Sequence, residues 1–178
     1  MDIRRISECS TRCRVLATLG LAAALVLVTI AYIQAVRPSM DEGFARFTIS
    51  RIGQTAGRLD IEKGVHGCAV AAGWIDLDAN LFLGSTSASR TPEAARLVDQ
   101  LRTCYRASLD VWQASLGGRE PVPVGSVHGL AQIVAADPPL QALVVATPSG
   151  PALSNQGDQA VLRMWQYAGE LAGTPQAQ

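Results

Sequence analysis

From Val15 to Val36 the chain is apolar and carries no charged side chain. The stretch predicts a helix of about 33 Å at ~1.5 Å per residue, enough to cross a ~30 Å hydrocarbon core. Leu, Val and Ile fill its middle, and Tyr32 stands near its end, where an amphipathic ring suits a membrane–water boundary. Past Pro38 and Ser39 the pattern turns amphipathic. Between Asp41 and Ile61, Phe44, Phe47, Ile52, Ala56 and Leu59 recur every three to five residues, with Arg46, Arg51, Arg58 and Asp60 turned elsewhere. This predicts a second helix, ended by Gly64.

The stretch 65–89 carries two periods at once. Ile75, Leu77, Ala79, Leu81 and Leu83 alternate with Asp76, Asp78, Asn80 and Phe82, as in a strand. Val65, Cys68, Ala72, Ile75, Ala79 and Phe82 also fit a helix. Gly67 and Gly73 disfavour a helix interior and Asp78-Ala79-Asn80 suits a turn, so the reading is a β-hairpin. Residues 91–116 are plainer. Thr91 is a natural N-cap, Pro92 fits the first helical position, and Glu93 faces the positive helix end. Leu97, Val98, Leu101, Cys104, Tyr105, Leu109, Trp112 and Leu116 make one apolar stripe. Arg96, Asp99, Arg102, Arg106 and Asp110 form the solvated face, Arg106 and Asp110 being spaced to pair at i,i+4, and Gly117-Gly118 stops the helix.

Beyond Glu120 a loop leads to a short apolar element. Val144 and Val145 favour strand, Thr147-Pro148-Ser149-Gly150 reads as a hairpin turn, and Pro151 suggests an edge strand. Asp158 is placed to cap a last helix with Val161, Trp165, Ala168 and Leu171 facing inward, ended by Gly173 and Pro175. The fold class predicted is α+β: a single N-terminal transmembrane helix, then a small extracytoplasmic domain of helices and a short antiparallel sheet. The divisions are a basic tail at 1–14, the span at 15–36 and a globular domain at 37–178. The order helix, hairpin, helix, strands, helix over 41–172 resembles the sheets of PAS, Cache and roadblock-type domains. That resemblance implies a sheet scaffold, in Cache sensors entered by a helix rising from the membrane. The rival is an all-α bundle, with Cys68 and Cys104 across an α-hairpin turning near Ser87.

Charge gives the span a direction. Fifteen basic and fifteen acidic residues balance overall, but Arg4, Arg5, Arg12 and Arg14 precede the span and only Arg37 follows directly. An excess of Arg on one short flank predicts an uncleaved signal-anchor in a cell inner membrane, single-pass, with the N-terminus cytoplasmic and the C-terminal domain periplasmic. Removing the five basic and two acidic residues of 1–37 leaves ten basic and thirteen acidic, a net of −3. Mild, scattered acidity argues against a nucleic-acid partner, which needs clustered Lys and Arg. Fourteen of the fifteen basic residues are Arg, consistent with a GC-rich bacterial genome.

Cys9 and Cys13 fall in the tail. Cys68 and Cys104 fall in the outer domain, where an oxidising compartment would favour a disulfide closing a loop of about 37 residues. His66, Cys68, Cys104 and His128 are the residues a zinc site would need, but only the first two are closely spaced, and no metal is predicted. Asp76-Leu-Asp78-Ala-Asn80 opens like a calcium loop, then has Leu81 and Ser87 where Gly and Glu are required. On a strand Asp76 and Asp78 would share a face as paired carboxylates. GSTSAS at 84–89 lacks the Lys of a phosphate loop, and no G-x-S-x-G occurs. No catalytic residue or cofactor is predicted. The expected function is a membrane-anchored, non-catalytic accessory or interaction protein of a bacterial envelope complex, with the membrane and a protein partner or a second copy as its contacts. The alternatives are a small-molecule sensor module, with Trp74, Trp112 and Trp165 as pocket aromatics, and a hydrolase or metalloprotein.

Overall fold

A computed structural model describes residues 3–59, 64–118 and 121–173, with side chains from residue 24 onward. Helix α1 runs Ile3–Ala56. The chain divides into two compact units, Met1–Met40 and Asp41–Gln178.

In the first unit the apolar side chains Leu25, Val26, Leu27, Val28, Ile30 and Ile33 are exposed. Thr29 donates to the Leu25 carbonyl and Ser39 to that of Val36. The expected membrane span is not supported: among the described residues no helix is long and apolar enough to cross a membrane. Val15–Ala23 lie outside the residues whose side chains are described. The signal-anchor, the inner-membrane placement and the cytoplasmic and periplasmic sides lose their support with the span. Cys9 and Cys13 also lie outside the described side chains.

In the second unit α1 continues through Asp41–Ala56, followed by α2 (Gly64–Leu83), the short α3 (Thr86–Arg90) and α4 (Pro92–Leu116). Next come β1 (Val122–Pro123), α5 (Leu130–Ala136), α6 (Pro138–Gln141), β2 (Val144–Thr147), β3 (Gly150–Leu153) and α7 (Gln159–Leu171). Helix accounts for 78% of the described residues, and the sheet has three short strands in the order β1-β3-β2, both pairs antiparallel. The α+β domain built on a hairpin at 65–89 is thus corrected. That stretch is α2, and the PAS, Cache and roadblock resemblance loses the strands it stood on. The rival all-α reading comes nearer: α2 and α4 form an antiparallel hairpin that turns through α3 around Ser87, and only the small three-stranded sheet departs from an all-α bundle.

The physical reason for α2 is burial. Cys68, Ala72, Ile75, Ala79 and Phe82 recur every three or four residues and are all buried, so the helical period satisfies the core where the strand period would turn Cys68 and Phe82 away from Ile75 and Ala79. Helix α4 follows its sequence signals: Pro92 sits at the first turn, and Val98, Leu101, Cys104, Tyr105, Val111 and Trp112 are buried. Thr91 stands at the N-cap without a side-chain capping bond and donates its hydroxyl to Ser87 O instead. The turn at 147–150 forms as expected and joins β2 to β3. Pro151, however, lies in the central strand. It is tolerated because β1 reaches only Ala152 and Leu153, leaving Pro151 unopposed on that side.

Helix α7 closes the core against α4. Trp165 Nε1 donates to Ser108 Oγ at 2.9 Å, and its ring meets Trp112 edge-to-face at 6.0 Å. Its start departs from expectation: Asp158 is at the N-cap with φ 59° and makes no capping bond, whereas Asn155 Oδ1 accepts from Val161 N at 3.1 Å. Gly129, at φ +74°, lets α5 begin hard against α4, where a Cβ would lie 2.2 Å from Thr103 Cγ2. Any side chain there would have to displace the Thr103 methyl and hold a left-handed backbone.

Candidate functional site

Helix α2 buries one face and leaves a second apolar face in solvent. Val70, Trp74, Leu77 and Leu81 are exposed at 54%, 54%, 46% and 61%. Their spacing of four, three and four residues puts them on one stripe, opposite the buried Cys68–Phe82 face. The neighbouring part of α1 adds Phe44 and Phe47, the latter 57% exposed. Two contacts fix α1 beside α2: the Phe44 and Phe82 rings at 5.4 Å, and Arg51 Nε at 3.1 Å from Asp78 Oδ2. Arg51 also lies over the Phe47 ring, 5.8 Å from its centroid. Six exposed apolar side chains on two adjacent helices exceed the scatter of single residues normal on a protein surface.

The acidic residues of α2 are spent on holding the helices together. Two residues apart on a helix, Asp76 and Asp78 point about 200° apart rather than sharing a face. Asp76 Oδ2 accepts from Arg106 of α4 at 2.7 Å and from Asn80 at 3.1 Å, while Arg102 donates to Asn80 Oδ1 at 2.7 Å. Asp78 turns the other way, to Arg51. The paired-carboxylate and calcium-loop patterns therefore dissolve, since both presumed a strand or loop. The Arg106–Asp110 pair expected within α4 gives way to this bridge.

A cavity of about 100 Å³ lies where α4, α5 and α7 meet, lined by Gln100, Thr103, Cys104, Gln132, Ile133 and Tyr167 among others. Ligand sites run to ~300–1,000 Å³, so it is too small for most metabolites. Burial, reinforced by the charge of Asp137, pushes the Cys104 thiol up to about 12, so it stays protonated and a poor nucleophile. Burial likewise raises Tyr167, with Cys104, Asp137 and Glu170 adding and Arg163 opposing. Asp137 is buried and accepts from Arg163 Nε at 2.8 Å and from Leu140 N at 3.2 Å, capping α6. Arg163 also reaches Glu170 at 2.8 Å. Both carboxylates meet the one guanidinium of Arg163, which is the arrangement of a structural clamp.

The remaining candidates do not converge. His66 and His128 are exposed. Among the described residues no three His, Cys, Asp or Glu side chains come together as a metal site would need. Cys68 and Cys104 are buried but not joined in a disulfide, correcting that expectation. The helix register explains it. Asp76 meets Arg106 and Asn80 meets Arg102, so α2 and α4 run antiparallel, and Cys68 stands level with about residue 114. Ten residues separate that level from Cys104, about 15 Å along the axis, whereas a disulfide needs Cα atoms ~4.4–6.8 Å apart. Of the three tryptophans, Trp112 and Trp165 belong to the core and Trp74 to the exposed stripe; none lines the cavity.

Sequence reasoning missed the α2 stripe as a surface. Its signal was the recurrence of Val70, Trp74, Leu77 and Leu81 at heptad-like spacing, hidden by the alternation through Ile75, Leu77 and Ala79. Comparison with protein-family models, with curated proteins and with solved structures finds no match.

Proposed function

We propose that this chain is a non-catalytic interaction protein whose binding surface is the outward face of α2 together with Phe44 and Phe47. What carries the reading is one observation: α2 is apolar on two opposite faces, and the second unit of the chain covers only one of them. A helix hydrophobic on both sides belongs in an interior. Leaving Trp74, Leu77 and Leu81 in water forgoes on the order of 1 kcal/mol each at half exposure, which a bound partner recovers. Large aromatic and aliphatic side chains near the centre of a patch are the usual anchors of an interface, and Trp74 holds that place here.

The expected accessory role is retained in this form. The test is a double substitution, Trp74→Glu with Leu77→Glu. Both side chains are half exposed, so the variant keeps the wild-type circular dichroism and a cooperative melt at a moderately lower temperature. Native-mass measurements and gentle affinity capture should show the wild-type chain in a complex and the variant alone. A wild-type chain that is solitary in both measurements defeats the reading.

A further inference from the structure

We propose that the α2 face pairs with the same face of a second copy of this chain, as a symmetric helix-on-helix seam centred between Trp74 and Leu77; this rests on the interaction reading above. The four-three-four spacing of Val70, Trp74, Leu77 and Leu81 is the spacing of a seam that packs against another helix, knobs into holes. A flat or extended partner would not require it.

The six exposed side chains present on the order of 600 Å², so a symmetric pair that covers all of them removes at most about 1,200 Å² from water, which reaches the lower bound of stable interfaces. The charge also suits self-pairing. The acidic residues of α2, Asp76 and Asp78, are each held by an Arg of the same chain, so two copies meet without opposing bare carboxylates. No row of one sign marks the face for an oppositely charged stranger.

Gly73 supplies the shape. It lies mid-helix and exposed, and a Cβ there would meet nothing within 4 Å. The chain's own packing therefore does not ask for glycine, although glycine weakens a helix. A second helix crossing closely does ask for it. Gly73 is a notch at the edge of the stripe, beside its i+4 and i−3 neighbours Leu77 and Val70, and a symmetric interface needs knob and notch on one surface, because each copy must supply what the other receives.

Sedimentation of the purified full chain across a concentration range tests this. The expected result is a monomer–dimer equilibrium in which Leu77→Glu weakens the dimer at least a hundredfold and Gly73→Ala about tenfold. Position is checked by oxidative cross-linking of Leu77→Cys, in a chain with Cys9→Ser and Cys13→Ser, against Arg96→Cys on the outer face of α4. The seam yields a covalent dimer at 77 and little at 96. A chain that stays monomeric, a dimer indifferent to Leu77→Glu, or equal cross-linking at both positions overturns the proposal. If the monomeric chain still captures a different protein through Trp74 and Leu77, self-pairing falls and the interaction reading stands; if it captures nothing, both fall.

Discussion

Helices α2 and α4 lie antiparallel against each other, yet their outer faces are opposite in kind. Helix α4 turns Arg96, Asp99, Arg106 and Asp110 to the outside, and its apolar stripe goes inward against α2 and α7. Helix α2 buries Cys68, Ile75 and Phe82 and turns Val70, Trp74, Leu77 and Leu81 outward. A charged outer face needs only water, so the packing of α4 is complete within the chain. An apolar outer face is an unfinished layer. The comparison therefore separates what the fold requires from what the surface offers, and substitutions on each side should behave differently.

The largest contrast is between two tryptophans. Trp165 is 5% exposed, donates to Ser108 and packs edge-to-face on Trp112. Trp165→Ala should cost about 3–5 kcal/mol, from lost burial, the cavity left behind and the lost hydrogen bond to Ser108, whose hydroxyl still donates to Tyr105 O. Trp74→Ala should cost the monomer only about 1 kcal/mol, the burial of its covered half. Urea unfolding of both variants at low concentration checks the pair. Comparable losses would mean that Trp74 is held by the core and that the outer face of α2 is no surface at all.

Next comes the clamp behind α4. Asp137→Asn removes the charge that Arg163 and the α6 cap share. Removing one partner of a buried pair costs ~3–5 kcal/mol, and because Arg163 is 19% exposed and keeps Glu170, about 2–3 kcal/mol is expected here. Asp110→Asn on the outer face of α4 should fall within about 0.5 kcal/mol. Thermal melts at pH 7 compare them directly.

The same contrast explains what could be read from the sequence. Helix α4 was legible because its two faces differ: apolar inside, charged outside, with Thr91-Pro92 at one end and Gly117-Gly118 at the other. The hairpin at 144–153 was legible because Pro148 and Gly150 admit few alternatives. Helix α2 was not. With apolar residues on both faces, its amphipathic period vanishes, and the local alternation from Ile75 to Leu83 imitates a strand. The fault passed into the chemistry, since Asp76 and Asp78 share a face on a strand and part company on a helix. The disulfide failed for another reason: cysteine spacing carries no information about how two helices slide past each other, and that register holds Cys68 and Cys104 apart. Pro151 was misplaced because a rule about ladder donors cannot foresee a neighbouring strand of two residues.

Alkaline pH probes the buried side of α4. The Cys104 thiol is raised from 9.0 to about 12, first by burial and then by Asp137. A folded-state value above the unfolded one means the unfolded chain loses its proton first. The stability held by the neutral thiol is then complete below about pH 9 and drains away as pH rises toward 12. By pH 10, one unit above the unfolded value, the loss is on the order of 1 kcal/mol. Cys104→Ala should flatten that part of the stability–pH curve. A variant with the wild-type slope would mean the thiol is already reachable by water in the fold.

The finest test returns to the outer face of α2, where the two helices differ most. Gly73 sits in the helix interior, and a Cβ placed on it touches nothing. Within a single chain, Gly73→Ala should therefore raise stability by about 0.5–1 kcal/mol, the ordinary gain in helix propensity and the loss of unfolded-state freedom. In a paired state the same methyl fills the notch that a neighbouring helix would use. One substitution is thus expected to act in opposite directions: a higher urea midpoint in dilute solution, and a weaker concentration dependence of that midpoint. Stabilisation at every concentration would show that nothing packs on Gly73, and the glycine would then have no structural account. Destabilisation in the dilute chain would show that the methyl meets something in the fold after all, and the unfinished face of α2 would be smaller than its exposed side chains indicate.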